Sequence, residues 1–339
     1  MAADALGILG RVSEADNLPA WTGRPGAYEV WFLTFTDPAT GNGFWIRSTL
    51  SAPSDGAEPA AGVWFARFDR SDTGGTFGVH RTQARWQLDP NGFAVSIGEA
   101  EMGSGRAYGA LEGGGHTARW NLAFATGEPT YRLLPDRLYR TSMAPTKPYS
   151  PNPRTTVTGT ITVDGSTEAI ERAPGQQGHL YGSRHAERWA WAHCGAFVDE
   201  EAVVHAITAQ GRRGPFSTPF FTFVGVQWQG RWIRMSKVRR RRDFGLGTWK
   251  VDVSNRRHRL TGRVDAPVDA LIRARYADPS GEPRFCHNSE IASSRLILFE
   301  RKARGWSEVA LLESTGTTHA EWAGRTPAPQ VLRGFAEVA

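Results

Sequence analysis

The run Gly178-His179-Leu180-Tyr181-Gly182-Ser183-Arg184-His185-Ala186-Glu187-Arg188-Trp189-Ala190-Trp191-Ala192-His193-Cys194 concentrates acid–base and aromatic side chains in one short stretch. Read as extended chain, it alternates between two faces with period two. His179, Tyr181, Ser183, His185, Glu187, Trp189, Trp191 and His193 then share one face, while the other is mostly small, with Gly182, Ala186, Ala190 and Ala192. A strand this long usually bends or bulges, and Gly182 and Ala186 are where its phase would slip. On the titratable face, Glu187 or His185 is the candidate proton donor, provided burial or a neighbouring charge holds it as a neutral acid. Tyr181 and Arg184 would orient that acid, and Arg184 would also polarise a carbonyl or hold a carboxylate. Trp189 and Trp191 would face a developing carbocation, a contact worth about 0.5–2 kcal/mol each. Core packing is an equal alternative for both indoles.

His179, His185 and His193 lie six and eight residues apart, too spread along one strand to converge on an ion without other segments. No metal and no other cofactor is expected. Cys194 reads as a small buried residue. A second polar stretch, Arg284-Phe285-Cys286-His287-Asn288-Ser289-Glu290, precedes an apolar run. It reads as an exposed loop or as a second cavity wall, with His179, His193, His287, Asn288 and Glu290 joining the two tryptophans as ligand contacts. Lys237-Val238-Arg239-Arg240-Arg241-Arg242 is a solvated edge strand or a nucleic-acid patch. The Gly-rich runs 103–105 and 113–115 are hairpin turns that open no helix, so no phosphate loop is implied.

The elements that must position these groups read as strands. Tyr28–Thr36 and Phe44–Leu50 flank a Pro/Gly/Asn turn and predict a β-hairpin. Further short strands are predicted at Val63–Phe68, Phe77–Gln83, Phe93–Gly98, Arg106–Leu111, Thr117–Ala125 and Thr155–Val163, with the Pro-rich segment 143–154 as a loop. The second half repeats the plan, from a hairpin at Trp189–Phe197 and Ala202–Ala209 through strands ending at Arg295–Glu300 and Trp306–Glu313. At 339 residues, with 13 Trp and 38 Gly, the chain suits two all-β domains, 1–175 and 176–339, each a sandwich or barrel. The net charge of +6 comes from scattered arginines, so no nucleic-acid partner is expected. No apolar run approaches the roughly 20 residues that span a bilayer. The N-terminus MAADALGILGRVSEADNLPAW reads as an unexported leader with one short helix. With only two cysteines, this predicts a cytoplasmic protein.

The run into Trp189-x-Trp191, set between two β-rich halves, resembles the superfamily of carotenoid 1,2-hydratases, AttH-like and Svf1-like proteins, tocopherol cyclases and decalin-forming Diels–Alderases. Its shared motif resembles Gly-Tyr-x-Asp-x-x-Trp-Gly followed by Trp-x-Trp. The tryptophan pair matches; the motif aspartate has no counterpart, since Gly182 and Ser183 lie where it would fall. The resemblance implies two tandem lipocalin-like (calycin-type) antiparallel β-barrels with little helix, enclosing an aromatic-lined cavity. It also implies a cofactor-independent cyclase or hydratase acting on an isoprenoid or polyketide-like molecule, or else a carrier of a lipid or apolar metabolite that turns nothing over.

Overall fold

The computed structural model describes residues 15–71 and 73–338. The expected leader helix falls mostly on residues 1–14, outside the described residues. The first half forms β1 (Ala27–Thr36), β2 (Gly43–Ala52), β3 (Ala60–Phe68), β4 (Phe77–Gln83), β5 (Trp86–Leu88) and β6 (Ala94–Ile97). It continues with β7 (Ala100–Gly103), β8 (Arg106–Gly113), β9 (His116–Phe124), β10 (Tyr131–Arg132), β11 (Thr146–Val163) and β12 (Ser166–Gly182). The second half forms β13 (Arg188–Cys194), β14 (Ala202–Arg213), β15 (Phe216–Trp228), β16 (Arg231–Arg239), β17 (Phe244–Gly245) and β18 (Thr248–Ser254). Then come β19 (His258–Asp265), β20 (Ile272–Ala277), β21 (Pro283–Lys302), β22 (Gly305–Gly324) and β23 (Ala336–Val338). No helix among the described residues is long and apolar enough to cross a membrane.

The fold is all-β, in two tandem sheets that are antiparallel throughout except at one edge. The first runs β23-β4-β3-β2-β1-β12-β11-β9-β8-β7-β6-β5, with β10 beside β11. The second runs β16-β15-β14-β13-β22-β21-β19-β18-β17, with β20 beside β21. Each curls around its own core. On β1, Trp31, Leu33 and Phe35 point into the first barrel, where they meet Phe44, Phe65, Trp120 and Val157. On β13, the small Ala190 and Ala192 leave room in the second barrel for Trp249, Leu260, Leu296, Leu312 and Trp322. Alternate residues face the other way, and a third cluster joins the barrels through them. Trp45, Trp64 and Phe68 of the first barrel pack there with Trp189, Ile272, Tyr276, Cys286 and Ile291 of the second. We call this contact the seam.

The structure departs from these expectations at five points. Residues 179–193 do not run as one extended segment, because β12 ends at Gly182 and β13 starts at Arg188. The two strands belong to different sheets, so residues 183–187 form the passage between barrels, and position 175 lies inside β12. The Pro-rich stretch is not all loop: β11 starts at Thr146 and absorbs its prolines through register shifts between Tyr149 and Asn152 and between Asn152 and Thr155. The polar stretch 284–290 is no exposed loop but the start of β21, with Cys286 through Glu290 buried. Finally, the last strand returns to the first barrel, where β23 pairs in parallel with β4. As expected of an edge, β16 carries the basic run's first half at the rim of its sheet.

Candidate functional site in the seam between the barrels

Strand register places the chemistry. Cross-strand partners share a face, and Trp191 pairs with Glu321 and Ile207, while His193 pairs with His319 and His205. Asn288 pairs with Glu321, and Cys286 with Ala323. Trp189, Trp191, His193, His205, Asn288, His319 and Glu321 therefore stand on the outer face of the second barrel, turned toward the first. The opposing face comes from β1, β2 and β12, where Phe32 pairs with Arg47 and Gly178, and Thr34 with Trp45 and Gln176. Close approach requires glycine here: a Cβ on Gly43 would lie 2.6 Å from Glu290, and one on Gly178 would collide with the Phe32 ring.

The seam is heavily polar for a buried contact. Glu321 Oε2 accepts a hydrogen bond from Trp189 Nε1 at 3.0 Å. Desolvation raises the Glu321 carboxyl above the usual range, opposed by that bond and by Arg47. Glu290 accepts from Thr34 Oγ1. Burial pushes it well above its ordinary value, and the nearby Glu321 adds to the effect. Both carboxyls are thus held toward the neutral acid.

Two hydrogen-bonded chains run through the histidines. An indole N–H only donates, so Trp191 Nε1 donates to His205 Nε2 at 2.8 Å and the imidazole proton sits on Nδ1. That nitrogen donates to Ser150 Oγ at 3.0 Å, and Ser150 donates to Gln176 Oε1 at 3.3 Å. In the second chain His193 Nε2 donates to Pro153 O at 2.7 Å, and His193 Nδ1 lies 3.4 Å from His319 Nδ1. His319 Nε2 is 3.2 Å from Thr36 Oγ1. Desolvation lowers His193 to about 4. It lowers His205 and His319 well below the usual imidazole value, with His193 contributing to both. Three neutral imidazoles therefore lie side by side.

Two further features set the seam apart from ordinary packing. Among the described residues, Gln176 Nε2, both side-chain polar atoms of Asn288 and the nearby Tyr276 hydroxyl are buried without a well-formed hydrogen bond. Buried polar atoms are seldom left so. Along one side of the seam, Phe32, Leu180, Trp191, Ile207, Phe221 and Phe223 are only half-buried although they line the junction of the barrels, and Glu321 keeps accessible surface beside them. The enclosed space beside His193 and Cys194 in the second barrel is about 10 Å³, one water's worth.

The sequence-predicted residues divide among four places. Trp189, Trp191, His193, Asn288 and Glu290 come together in the seam. His179 and Tyr181 turn into the first barrel instead. There His179 stacks on Trp31 at 5.0 Å and bonds Glu29 Oε1 at 2.8 Å, while the Tyr181 hydroxyl is 3.3 Å from that of Tyr149. His185 and Glu187 lie in the passage. His185 Nδ1 bonds Asp278 Oδ1 at 2.6 Å, and the ring stacks on Tyr28; burial lowers its pKa despite that carboxylate. Both Glu187 oxygens are taken by guanidinium groups, of Arg284 at 3.0 Å and Arg325 at 3.2 Å. Arg184 is exposed and bonds the Arg212 carbonyl. His287 faces away from Asn288 and ties down the C-terminal tail, accepting from the Ala328 N–H at 3.1 Å. Sequence reasoning missed Arg47, Gln176, His205, Tyr276, His319 and Glu321. The alternation His319-Ala320-Glu321-Trp322 carries the same polar-out, small-or-apolar-in pattern as Trp189 to His193 and would have exposed two of them. Among the described residues, no three His, Cys, Asp or Glu side chains are arranged to hold a metal ion.

Fold and site together define a tandem-barrel protein whose titratable groups lie between its barrels. The chain belongs to the tocopherol cyclase-like family, whose profile matches residues 153–324, half of its length. It is similar to an uncharacterized protein of Mycobacterium tuberculosis, 27% identical over 324 residues, covering 94% of this chain and 92% of that one. Two solved structures share the fold. Kievitone hydratase from Nectria haematococca aligns with a TM-score of 0.52 at 10% identity over 92% of each chain. CghA aligns with a TM-score of 0.55 at 11% identity, over 91% of this chain and 94% of its own.

Proposed function

We propose that the chain is a cofactor-independent cyclase or hydratase that protonates a hydrophobic, unsaturated small molecule, of isoprenoid or polyketide type, in the seam. The observation that carries this reading is the Glu321 carboxyl, held toward its neutral form by desolvation and set beside the half-buried aromatic strip of Phe32 and Trp191. A neutral carboxylic acid in an apolar setting is a competent proton donor near neutral pH. Membership of a cyclase-like family, and a fold neighbour that is by name a hydratase, agree with it.

In the proposed step, the alkene π pair forms a C–H bond with the Glu321 proton. This leaves a carbocation on the adjacent carbon and a carboxylate on Glu321. Trp189 Nε1 already points at that carboxylate and would stabilise it. The Trp191 face would offset the cationic charge. An internal hydroxyl then closes a ring, or water adds, and the displaced proton returns to Glu321. Gln176 Nε2, the Asn288 amide and the Tyr276 hydroxyl would bind the polar end of the guest.

The test is incubation with a panel of prenylated phenols and polyenes in D2O, with products read by mass spectrometry. Deuterium bonded to product carbon is expected, and Glu321→Gln should abolish it while ligand quenching of Trp fluorescence persists. Quenching with no product for any member would favour a carrier. Undiminished turnover by Glu321→Gln would remove Glu321 as the acid.

A further inference from the structure

The two arginines most deeply buried near the seam are treated differently by their surroundings. Arg284, 2% exposed, faces three carboxylates: Glu187 at 3.0 Å, Glu282 at 3.1 Å and Asp278 at 3.2 Å. Arg47 is 6% exposed, yet no carboxylate forms an ion pair with it among the described residues. Its one hydrogen bond among the described residues runs from Nε to Thr49 Oγ1 at 2.9 Å. Its guanidinium lies instead over aromatic rings, with Cζ 4.2 Å from the Tyr276 centroid, 5.7 Å from Trp45 and 5.8 Å from Trp64. A buried cation normally has a counter-charge in contact, because desolvating it alone is expensive. Ring faces offset part of that cost but satisfy none of the guanidinium N–H donors.

We propose that Arg47 anchors an anionic oxygen, a carboxylate or an acidic enolate, carried by the hydrophobic guest of the seam. The geometry suits this role. Arg47 pairs across β1 and β2 with Phe32, whose ring lines the half-buried strip. A bound oxyanion there would meet the guanidinium fork on one side and the unpartnered Tyr276 hydroxyl on the other. The aromatic cage fixes the orientation of the fork before the guest arrives, which lowers the ordering cost of binding. The guest is then an amphiphile with an apolar chain along Phe32 and Trp191 and an acidic head at Arg47. This inference rests on the seam being the ligand site.

Farnesoic acid and farnesol, which share a chain and differ only at the head, provide the test. Binding is followed by quenching of Trp fluorescence at neutral pH. The acid should bind the unaltered protein at least tenfold more tightly than the alcohol. Arg47→Met, similar in length and apolar, should erase that preference, and Arg47→Lys should keep part of it. Equal affinities in the unaltered protein, or a preference that survives Arg47→Met, would overturn the role of Arg47 and leave the seam as the site. Failure of both probes to bind would overturn the seam reading and this inference with it. The comparison of the two probes on the unaltered protein decides the matter even if a variant does not fold.

Discussion

Replacing His193 by glutamine should flatten the acid side of the stability profile without disturbing the fold. His193 is buried, donates to the Pro153 carbonyl and stacks on His319 at 5.5 Å. Its value of about 4 lies below the ordinary 6.5, because burial disfavours the charged form. In the unfolded chain the ring takes up a proton as pH falls through 6.5, whereas in the folded chain it does not until about 4. The unfolded state therefore binds more protons in that window, and stability falls as pH drops. The contribution is fully present above 6.5; the loss is about 2 kcal/mol at pH 5 and about 3 kcal/mol by pH 4, at 1.36 kcal/mol per pKa unit. That is a large share of a total of roughly 5–15 kcal/mol. His205 and His319, beside His193 in the seam, are shifted the same way, so acid should part the seam. Glutamine keeps the N–H that reaches Pro153 and never titrates. Urea unfolding at pH 7, 6, 5 and 4.5 should show the variant losing about 2 kcal/mol less than the unaltered protein between pH 7 and 5. Equal losses would mean that His193 is not buried as a neutral imidazole.

Three further outcomes follow from the same geometry. Glu321→Gln should stabilise the protein at pH 7–8, since a carboxyl raised by burial loses stability as pH climbs above its unfolded value of 4.5; a lower melting temperature than the parent at pH 8 would contradict the neutral-acid state. Gly178→Ala should cost about 1–3 kcal/mol in urea unfolding, the scale of overpacking, because its methyl would press into the Phe32 ring. Glu187→Ala should cost about 3 kcal/mol by uncovering part of a buried ion pair, with deuterium incorporation per folded molecule unchanged. Loss of chemistry at full stability would return Glu187 to the reaction.

The hairpins were legible because they obey local rules. In β1 the alternation of Trp31, Leu33 and Phe35 with Phe32 and Thr34 is a period-two signal that nothing in the tertiary structure overrides. The Trp189-x-Trp191 pair was legible for the same reason, and its small alternates, Ala190 and Ala192, belong to the core of the second barrel. Reading the period onward from His179 failed at a non-local event: the chain changes sheets across 183–187, so the two ends of that stretch answer to different barrels. Arg284 to Glu290 looked like a loop because its polarity is that of solvent-facing chain. Only the first barrel, packed against it, turns this face into an interior. Arg47 and Gln176 carried no local signal, since a lone arginine or glutamine in a strand is ordinary until both faces of the sheet are covered.

That same covering explains how the proposed chemistry could sit between the barrels. Each barrel fills itself with large apolar side chains, and the enclosed space beside Cys194 in the second is about 10 Å³. The outer faces are free to carry polar groups, and packing one against the other desolvates them without the requirement that each find a partner within its own sheet. A fold selected for stability alone would fill such a contact with complementary apolar shapes, since buried ionisable groups are at best neutral replacements for them. Here three imidazoles, two carboxyls and a guanidinium that forms no ion pair among the described residues share it, with four polar atoms on Gln176, Asn288 and Tyr276 left unbonded. Local rules broken together at one place are what a functional site is expected to show. Apolar substitutions in the seam should then behave unlike those in either core: Asn288→Leu should raise the melting temperature while weakening binding of the guest. A drop in both would make Asn288 an ordinary structural residue.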